Sequence, residues 1–231
     1  MLGIILQARM GSSRLPGKIL KDIGGKALLK HIDDRITLLK HKVTFVIATS
    51  DLPQDDAVEE FCRQNNIDCF RGSESNVLKR YYDCAKAYRF DNIIRMTGDN
   101  PFPDIEELDN LIAYHVQQNL DFSENFSVLP IGVGMEIMSF GALEKSVQGA
   151  SLEKHFEHAD EYILDNLDKF SHATVQVSAD KNYPDVRLTV DTSEDYRKAC
   201  YIVEKARGKY VTTQLAIELA REFEKKGGDA A

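Results

Sequence analysis

The sequence predicts an α/β fold with a mostly parallel sheet and helices on both faces. Strand-like and helix-like patterns alternate through the first half of the chain, which is the order found in parallel-sheet proteins. A length of 231 residues suits one globular domain with a sizeable core. We expect this domain to span residues 1–224, and the charged, glycine-rich residues 225–231 to form a flexible tail.

In the first half, short apolar runs alternate with amphipathic helical patterns. The strand-like runs are residues 2–6, 43–49, 67–70 and 92–97. Between them, residues 55–65 and 77–88 place apolar side chains at helical spacing. Asp104, with Glu107 three residues later, forms a capping-box-like start for a helix that continues to Val116.

The second half of the chain is less regular. Residues 128–140 mix apolar residues with glycines, which suggests a bent strand or a hairpin. The remaining patterns predict a helix over 152–170, strands over 174–177 and 186–190, and a helix over 193–206.

Residues 7–20, QARMGSSRLPGKIL, have the composition of a loop that closes around phosphates. Small residues let backbone N–H groups approach anionic oxygens, and arginine and lysine supply the countercharge. The spacing is not that of a P-loop, because Ile19 follows Lys18 where Ser or Thr should stand. The alternative is an ordinary strand-to-helix loop whose cations are exposed. The side chains that could donate to an oligophosphate are Arg9, Ser12, Ser13, Arg14 and Lys18.

Two aspartates follow predicted strands. Asp99 lies in TGDNP directly after the run 92–97, and Asp191 lies in VDTSED after another apolar run. Ligands in parallel α/β folds bind at the carboxyl ends of the strands, where a carboxylate can hold Mg²⁺ against phosphate oxygens. Local alternatives also exist, since GDNP is a good β-turn and Thr192 or Ser193 would cap the following helix.

Charge and composition limit the class of partner. The formal net charge is −8, yet residues 1–30 carry several cations and Asp22 as their single acid. A basic patch in an acidic protein fits a small anionic ligand, so we expect no nucleic-acid or membrane partner. The four cysteines lack zinc-type spacing, and no apolar run approaches the roughly 20 residues of a membrane span. We therefore expect a cytoplasmic protein with reduced thiols.

Four segments together resemble one enzyme family. QARMGSSRLPGKIL is similar to the N-terminal signature of the cytidylyltransferases that activate acidic sugars, such as the 3-deoxy-manno-octulosonate and acylneuraminate enzymes. FRGSESNVLKRYYDCA, RMTGDNPFPD and RLTVDTSEDYRKA resemble further segments of the branch named for spore coat polysaccharide biosynthesis. They occur in the matching order over about residues 2–206.

The resemblance implies a Rossmann-like nucleotide-diphospho-sugar transferase fold, with a small β-hairpin extension that mediates dimerisation. It also implies a nucleotidyltransferase with Mg²⁺ as its cofactor. A hydroxyl or phosphate oxygen of a sugar acid or sugar phosphate would attack the α-phosphorus of a nucleoside triphosphate, and CTP is the expected nucleotide. Pyrophosphate would leave, and a CMP- or NDP-sugar for surface polysaccharide would remain.

The resemblance assigns roles to individual residues. Arg14 and Lys18 would contact the phosphates and, with Asp99, are the candidate catalytic residues. Asp99 and Asp191 match the magnesium-binding aspartates of the family. The residues implied to bind the nucleotide are Ala8, Arg9, Met10, Gly11, Ser12, Ser13, Arg71, Ser73, Asn76, Thr97 and Gly98.

The acceptor side departs from the family pattern. Gln7 stands where the classical sugar-acid enzymes usually have proline. Residues 130–136 fit a Pro-x-Gly-x-Asp-x-Glu pattern, except that Gly134 occupies the acidic position. Glu136 and His158 are the candidate residues of the acceptor side.

Other functions remain open at this stage. A related enzyme could use GTP, and nothing in the sequence distinguishes cytosine from guanine. A glycosyltransferase would commonly show an Asp-x-Asp motif, which the GDN of residues 98–100 is not. A non-catalytic nucleotide-binding protein is a further alternative. The apolar residues 126–140 would suit a subunit interface, so we expect a homodimer.

Overall fold

A computed structural model of the protein describes residues 1–227, and its centre is a seven-stranded sheet. The strands of this sheet are β1 (Leu2–Gln7), β4 (Thr44–Ser50), β5 (Asp68–Gly72), β6 (Asn92–Thr97), β7 (Phe122–Glu124), β8 (Glu136–Ser139) and β9 (His172–Thr174). Two short strands, β2 (Asp22–Ile23) and β3 (Lys26–Ala27), pair with each other outside it. The order across the large sheet is β5-β4-β1-β6-β8-β7-β9.

Helices cover both faces of this sheet, as the sequence predicts. They are α1 (Leu28–Ile36), α2 (Asp56–Asn65), α3 (Val77–Tyr88), α4 (Ile105–Gln118), α5 (Phe140–Gly149), α6 (Glu153–Glu157), α7 (Glu161–Leu164), α8 (Ser193–Ala206) and α9 (Thr213–Lys225). Among the described residues, no helix is both long and apolar enough to cross a bilayer.

The central strand β1 shows why both faces are covered. Successive side chains of a strand point to opposite faces. Ile4 and Leu6 belong to the core beneath α1, α2, α4, α8 and α9, whereas Ile5 belongs to the core beneath α3, α5 and α7. All three side chains are fully buried. A strand with this pattern is stable only between two helical layers.

The sheet has a parallel and an antiparallel part. β5, β4, β1 and β6 run parallel to their neighbours, so their carboxyl ends meet at one edge. β8 then pairs antiparallel with both β6 and β7, and β9 runs parallel to β7. Across the junction between the two parts, Arg95 of β6 lies directly opposite Glu136 of β8.

Most elements predicted for the first half are confirmed, and the predictions for the second half need correction. The helix predicted over 152–170 is broken into α6, α7 and one turn of 3-10 helix at Leu167–Lys169. The break follows His158, whose backbone is extended at φ −130° and ψ 128°. The strand expected over 174–177 lies earlier, as β9.

Two further predicted strands take another form. Residues 186–190 are buried except for Arg187, which is half-buried, but they form only an isolated bridge between Arg187 and Ile131. Within 128–140, only β8 is a strand, and its hairpin partner is β7. The loop between these strands is held by Asn125, which accepts a 2.8 Å hydrogen bond from the amide of Met135.

The apolar character of residues 126–140 follows from the core of the chain itself. Leu129, Val133, Met135, Ile137 and Met138 are all buried within the described chain. The homodimer therefore stays a prediction without support from this composition.

The predicted boundary at residue 225 coincides with the end of a helix. Lys225 is the last residue of α9, and residues 228–231 lie outside the described part of the chain. The division into a domain of residues 1–224 and a flexible tail stays a prediction.

Candidate active site

A cleft of about 540 Å³ opens at the carboxyl ends of β1 and β6. It brings together most of the residues that the sequence singled out. Those that line it are Ala8, Arg9, Gly11, Ser12, Ser13, Arg14, Lys18, Thr97, Gly98, Asp99, His158 and Asp191. The structure thus brings these residues together, and their roles in binding stay a prediction.

The loop after β1 is shaped by hydrogen bonds to the main chain of Met10. The carbonyl of Met10 accepts from the amides of Ser12 and Gly17 at 2.9 and 3.1 Å, and its own amide donates to Asp55 at 2.6 Å. Gly17 has a φ of 67°, a conformation that favours glycine, and Lys18 follows at the start of a helical turn. The Met10 side chain packs against the core instead of lining the cleft.

The Lys18 ammonium lies between two carboxylates. Its Nζ is 2.9 Å from Oδ2 of Asp99 and 2.8 Å from Oδ1 of Asp191. Arg14 approaches Asp191 at 3.0 Å, and Arg187 pairs with its other oxygen. Burial opposes the ionisation of Asp191, but the hydrogen bond and charge of Lys18 outweigh it and hold the pKa of Asp191 below its ordinary value.

Main-chain pairing brings these two carboxylates together. The amide of Val190 donates to the carbonyl of Asp99 at 2.8 Å, which places Asp191 beside Asp99. The helix α8 then begins with a capping box between Thr192 and Asp195. The predicted cap is confirmed, and it leaves the carboxylate of Asp191 facing the cleft.

Two carboxylates that share one small cation also fit a divalent metal ion, which prefers oxygen ligands. Asp99 and Asp191 meet this requirement because both lie within hydrogen-bond distance of the same Nζ atom. Among residues 1–227, no group of three or more His, Cys, Asp or Glu side chains could hold a metal ion. Any further ligands would be other oxygen atoms, such as those of a bound substrate or of water.

Besides Met10, three predicted nucleotide-binding residues do not line the cleft. Arg71 instead binds Asp56 at 2.6 Å and Glu59 at 2.8 Å, on the outer side of α2. Ser73 accepts from the amide of Asn76, and the Asn76 side chain caps α3. In this structure Arg71 therefore links β5 to α2, and Ser73 and Asn76 form the start of α3.

Glu74, between these residues, does line the cleft. It accepts a 2.9 Å hydrogen bond from Arg9. This bond joins the β5–α3 loop to the loop of residues 7–20, which we call the basic loop. Glu74 was not predicted as a site residue, because no local sequence pattern indicates which of residues 73–76 faces the cleft.

A second, smaller cavity of about 200 Å³ adjoins the cleft, and the two share Arg95 and Thr97. Glu136 lines the smaller cavity together with Asp160. His158, the other predicted acceptor residue, lines the larger cleft. Arg95 and Asp160 were not predicted as site residues. For Arg95 the sequence does contain an indication, because a charged arginine interrupts the apolar run NIIRMT.

Arg95 is held between two acids in this smaller cavity. It pairs with Glu136, and its Nε lies 3.4 Å from Oδ1 of Asp160. Burial disfavours the charged guanidinium, but the two carboxylates outweigh this effect and raise the pKa of Arg95. Burial raises the pKa of Glu136 to about 7.

Two glycines at the site are required by close packing. A β-carbon on Gly98 would lie 3.0 Å from Cβ of Ala8 and 3.1 Å from the carbonyl of Gln7. Gly98 therefore lets the ends of β1 and β6 approach each other. A β-carbon on Gly134 would lie 2.4 Å from Cα of Phe126, so this backbone admits no acidic side chain there.

Comparison with known proteins places the chain in a family. The family model described as cytidylyltransferase matches residues 3–225. The spore coat polysaccharide biosynthesis protein SpsF of Bacillus subtilis is 36% identical over 207 residues, which cover 87% of this chain and 86% of that protein. A cytidylyltransferase from Leptospira borgpetersenii has 31% identity and a TM-score of 0.85, with 98% of this chain and 94% of that chain covered.

A more distant structure shares the fold. The CMP:2-keto-3-deoxy-manno-octonic acid synthetase, solved with CTP, has a TM-score of 0.69 at 20% identity, and 88% of this chain and 98% of that chain are covered. The matches agree with the mostly parallel sheet and its covering helices. The chain belongs to the cytidylyltransferase family and is a nucleotidyltransferase.

Proposed function

We propose that this protein activates a sugar acid or sugar phosphate with CTP and releases pyrophosphate. The observation that carries the proposal is the position of Lys18, at the end of a basic loop and between Asp99 and Asp191. This arrangement combines the cations that a triphosphate needs with two carboxylates that suit a metal ion.

The basic loop supplies the binding energy for the phosphates. Arg9, Arg14 and Lys18 line the cleft together with the strand-end residues Thr97 and Gly98. During attack on the α-phosphorus, negative charge increases on its oxygens and on the departing pyrophosphate. Fixed cations stabilise that charge, and no covalent enzyme intermediate is required.

Asp99 and Asp191 would hold the metal ion, which we take to be Mg²⁺. A bound Mg²⁺ supplies positive charge to phosphate oxygens. Lys18 pairs with both carboxylates, and this shared ion pair keeps them close together before substrate binds. Arg14 and Arg187 remain beside Asp191 when Lys18 donates to a phosphate instead.

We assign the acceptor to the smaller cavity. It opens beside the cleft at Arg95 and Thr97, within reach of a group that attacks the α-phosphorus. The name of the Bacillus subtilis relative supports a product used in polysaccharide biosynthesis. The CTP in the distant synthetase structure supports CTP as the nucleotide. We further expect the protein to act in the cytoplasm as a homodimer, which sedimentation would test.

A pyrophosphate-release screen tests this function. It crosses CTP, GTP, UTP and ATP with a panel of sugar acids and sugar phosphates, with Mg²⁺ present. We expect release above background with CTP and at least one acceptor. Release with GTP alone would replace CTP by GTP, and tight CTP binding without turnover of any acceptor would refute the enzymatic role.

A further inference from the structure

The Lys18 ammonium takes the place between Asp99 and Asp191 that a shared metal ion would need. Its Nζ atom is 2.9 Å from Oδ2 of Asp99 and 2.8 Å from Oδ1 of Asp191. Oδ1 of Asp191 also pairs with Arg14 at 3.0 Å, and its other oxygen, Oδ2, pairs with Arg187. Both oxygens of Asp191 are thus engaged by side-chain cations, and a metal ion shared by the two carboxylates requires that Lys18 withdraw.

The charges of this cluster already balance. Three acids and three cations form it, each in contact with a member of opposite charge: Asp99, Asp191, Asp195, Lys18, Arg14 and Arg187. Lys18 is only 8% exposed, so its ammonium depends on the carboxylates for its hydrogen bonds. A free divalent cation that displaced it would leave a buried ammonium unpaired, which carries a large free-energy cost.

The side chain of Lys18 can move while its backbone stays fixed. The Lys18 amide donates to the carbonyl of Leu15 at 3.2 Å, and its carbonyl accepts from the amide of Lys21 at 3.1 Å. The neighbouring Ile19 is buried in the core. By contrast, the four-carbon stem of lysine is flexible, and Lys18 lines the cleft in which a triphosphate would offer its oxygens.

We propose that Lys18 excludes free divalent cations from the Asp99–Asp191 pair until a triphosphate binds, so that metal and nucleotide bind cooperatively. This inference rests on the proposed function and adds an order of binding to it. Phosphate oxygens give the ammonium new acceptors, which offsets the cost of leaving the two aspartates. The carboxylates are then available to a metal ion that also contacts the phosphates. The affinities for metal and nucleotide are therefore coupled through the position of one side chain.

Mn²⁺ binding to the full chain without nucleotide tests this exclusion. Free Mn²⁺ has an electron paramagnetic resonance signal that decreases when the ion binds to protein. We expect Lys18→Met to bind Mn²⁺ roughly tenfold or more tightly than the wild type, because the binding-competent form of the site is no longer a minor one. The double variant Lys18→Met/Asp191→Asn should lose this gain. Equal affinity of Lys18→Met and the wild type, or a gain that persists in the double variant, overturns the proposal.

Arg14→Met separates occupancy of the site from loss of positive charge. It removes one cation from Asp191, as Lys18→Met does, but leaves the ammonium between the carboxylates. The Arg14 side chain is 63% exposed, so we expect a Mn²⁺ affinity within about threefold of the wild type. Lys42→Met, exposed and outside the cleft, should not change the affinity. Equal gains in Arg14→Met and Lys18→Met would mean that net charge sets the affinity, and would overturn the proposal.

Thermal unfolding of the wild type provides a test that needs no variant. Mg²⁺ alone should leave the unfolding temperature unchanged, whereas Mg²⁺ added with a non-hydrolysable CTP analogue should raise it above the value for the analogue alone. Equal stabilisation by Mg²⁺ with and without the analogue contradicts the exclusion. This measurement decides the question if Lys18→Met and its substitute Lys18→Gln both fail to fold.

The two proposals fail in different ways, because the Mn²⁺ titration uses neither nucleotide nor acceptor. Tighter Mn²⁺ binding by Lys18→Met, without pyrophosphate release in the screen, would keep the exclusion by Lys18 and remove the proposed function. Pyrophosphate release by the wild type, with unchanged Mn²⁺ affinity in Lys18→Met, would keep the function and remove the exclusion.

Discussion

The amide of Val190 donates a 2.8 Å hydrogen bond to the carbonyl of Asp99. This bond joins an extended segment of the second half of the chain to the end of β6. The next residue, Asp191, therefore meets Asp99 across the Lys18 ammonium.

Lys18→Met should reduce pyrophosphate release by roughly 10²–10³-fold, because a fixed cation next to the phosphates is lost. The variant should still fold, since Arg14 and Arg187 continue to pair with Asp191. Steady-state kinetics and circular dichroism measure the two effects. Lys42→Met, at an exposed position outside the cleft, is the control and should keep wild-type activity. A Lys18 variant with near-normal turnover would remove this residue from the reaction.

Asp191→Asn should raise the Mg²⁺ concentration for half-maximal activity by about tenfold or more, because one of two charged ligands becomes neutral. A magnesium titration of pyrophosphate release measures this. Glu194→Gln removes an exposed carboxylate from the first turn of α8 and is the matched control. An unchanged magnesium requirement in the Asp191 variant would contradict the metal assignment.

Thr192→Val should lower the free energy of unfolding by about 1 kcal/mol, because the side-chain cap of α8 is lost. The magnesium requirement should not change, since Thr192 does not line the cleft. Urea denaturation and the magnesium titration distinguish the two properties. A large change in metal dependence here would mean that helix capping and metal binding are not separable.

Gly98→Ala should destabilise the protein by about 1–3 kcal/mol, because the new methyl group would press on Ala8 and on the carbonyl of Gln7. The control is Gly141→Ala in α5, where the nearest atom to the added carbon is 3.9 Å away. There the change should be neutral or slightly stabilising, since alanine favours helix. Equal thermal unfolding temperatures for the two variants would show that β1 and β6 can separate easily.

His115 should make folding sensitive to acid. Burial lowers its pKa from 6.5 to about 4, and its ring bonds to Ser123 at 2.8 Å and to Asn92 at 3.1 Å. Between these pKa values the unfolded chain binds the proton and the folded chain does not, so stability is full above pH 6.5 and falls as the pH drops towards 4. The loss is on the order of 3 kcal/mol. His115→Gln should flatten this part of the stability profile in urea titrations at several pH values.

Local signals explain why part of the fold was predictable. The helix α8 has the predicted bounds because its capping box lies within four consecutive residues of the sequence. The long helix predicted over 152–170 fails for the opposite reason. There the helix is interrupted at His158, and Ile163 and Phe170 pack into the core beneath α3, α5 and α7. This packing involves elements that are distant in the sequence, so no local pattern indicates it.

The residues of the candidate site also differ in how far the sequence could predict them. The basic loop and Asp99 were predictable because each follows a parallel strand, and parallel strands end at one edge. Asp191 follows a segment that is not a strand of the sheet, and it reaches the same edge through the hydrogen bond between Val190 and Asp99. The resemblance assigned Arg71 to the nucleotide, and its contacts with Asp56 and Glu59 could not be predicted because these partners lie on another element. Arg95 and Asp160 were missed because their pairing depends on the antiparallel insertion of β8 beside β6.

Because the strand direction changes after β6, the parallel and antiparallel parts of the sheet could be exchanged separately in engineered chimeras. The basic loop is anchored through Met10 to Asp55, on the far side of β1 from β8. The walls of the smaller cavity come largely from β8 and from the loop before it. A chimera that replaces this antiparallel part should thus exchange acceptor preference and retain the triphosphate cleft, provided that Arg95 keeps an acid opposite it.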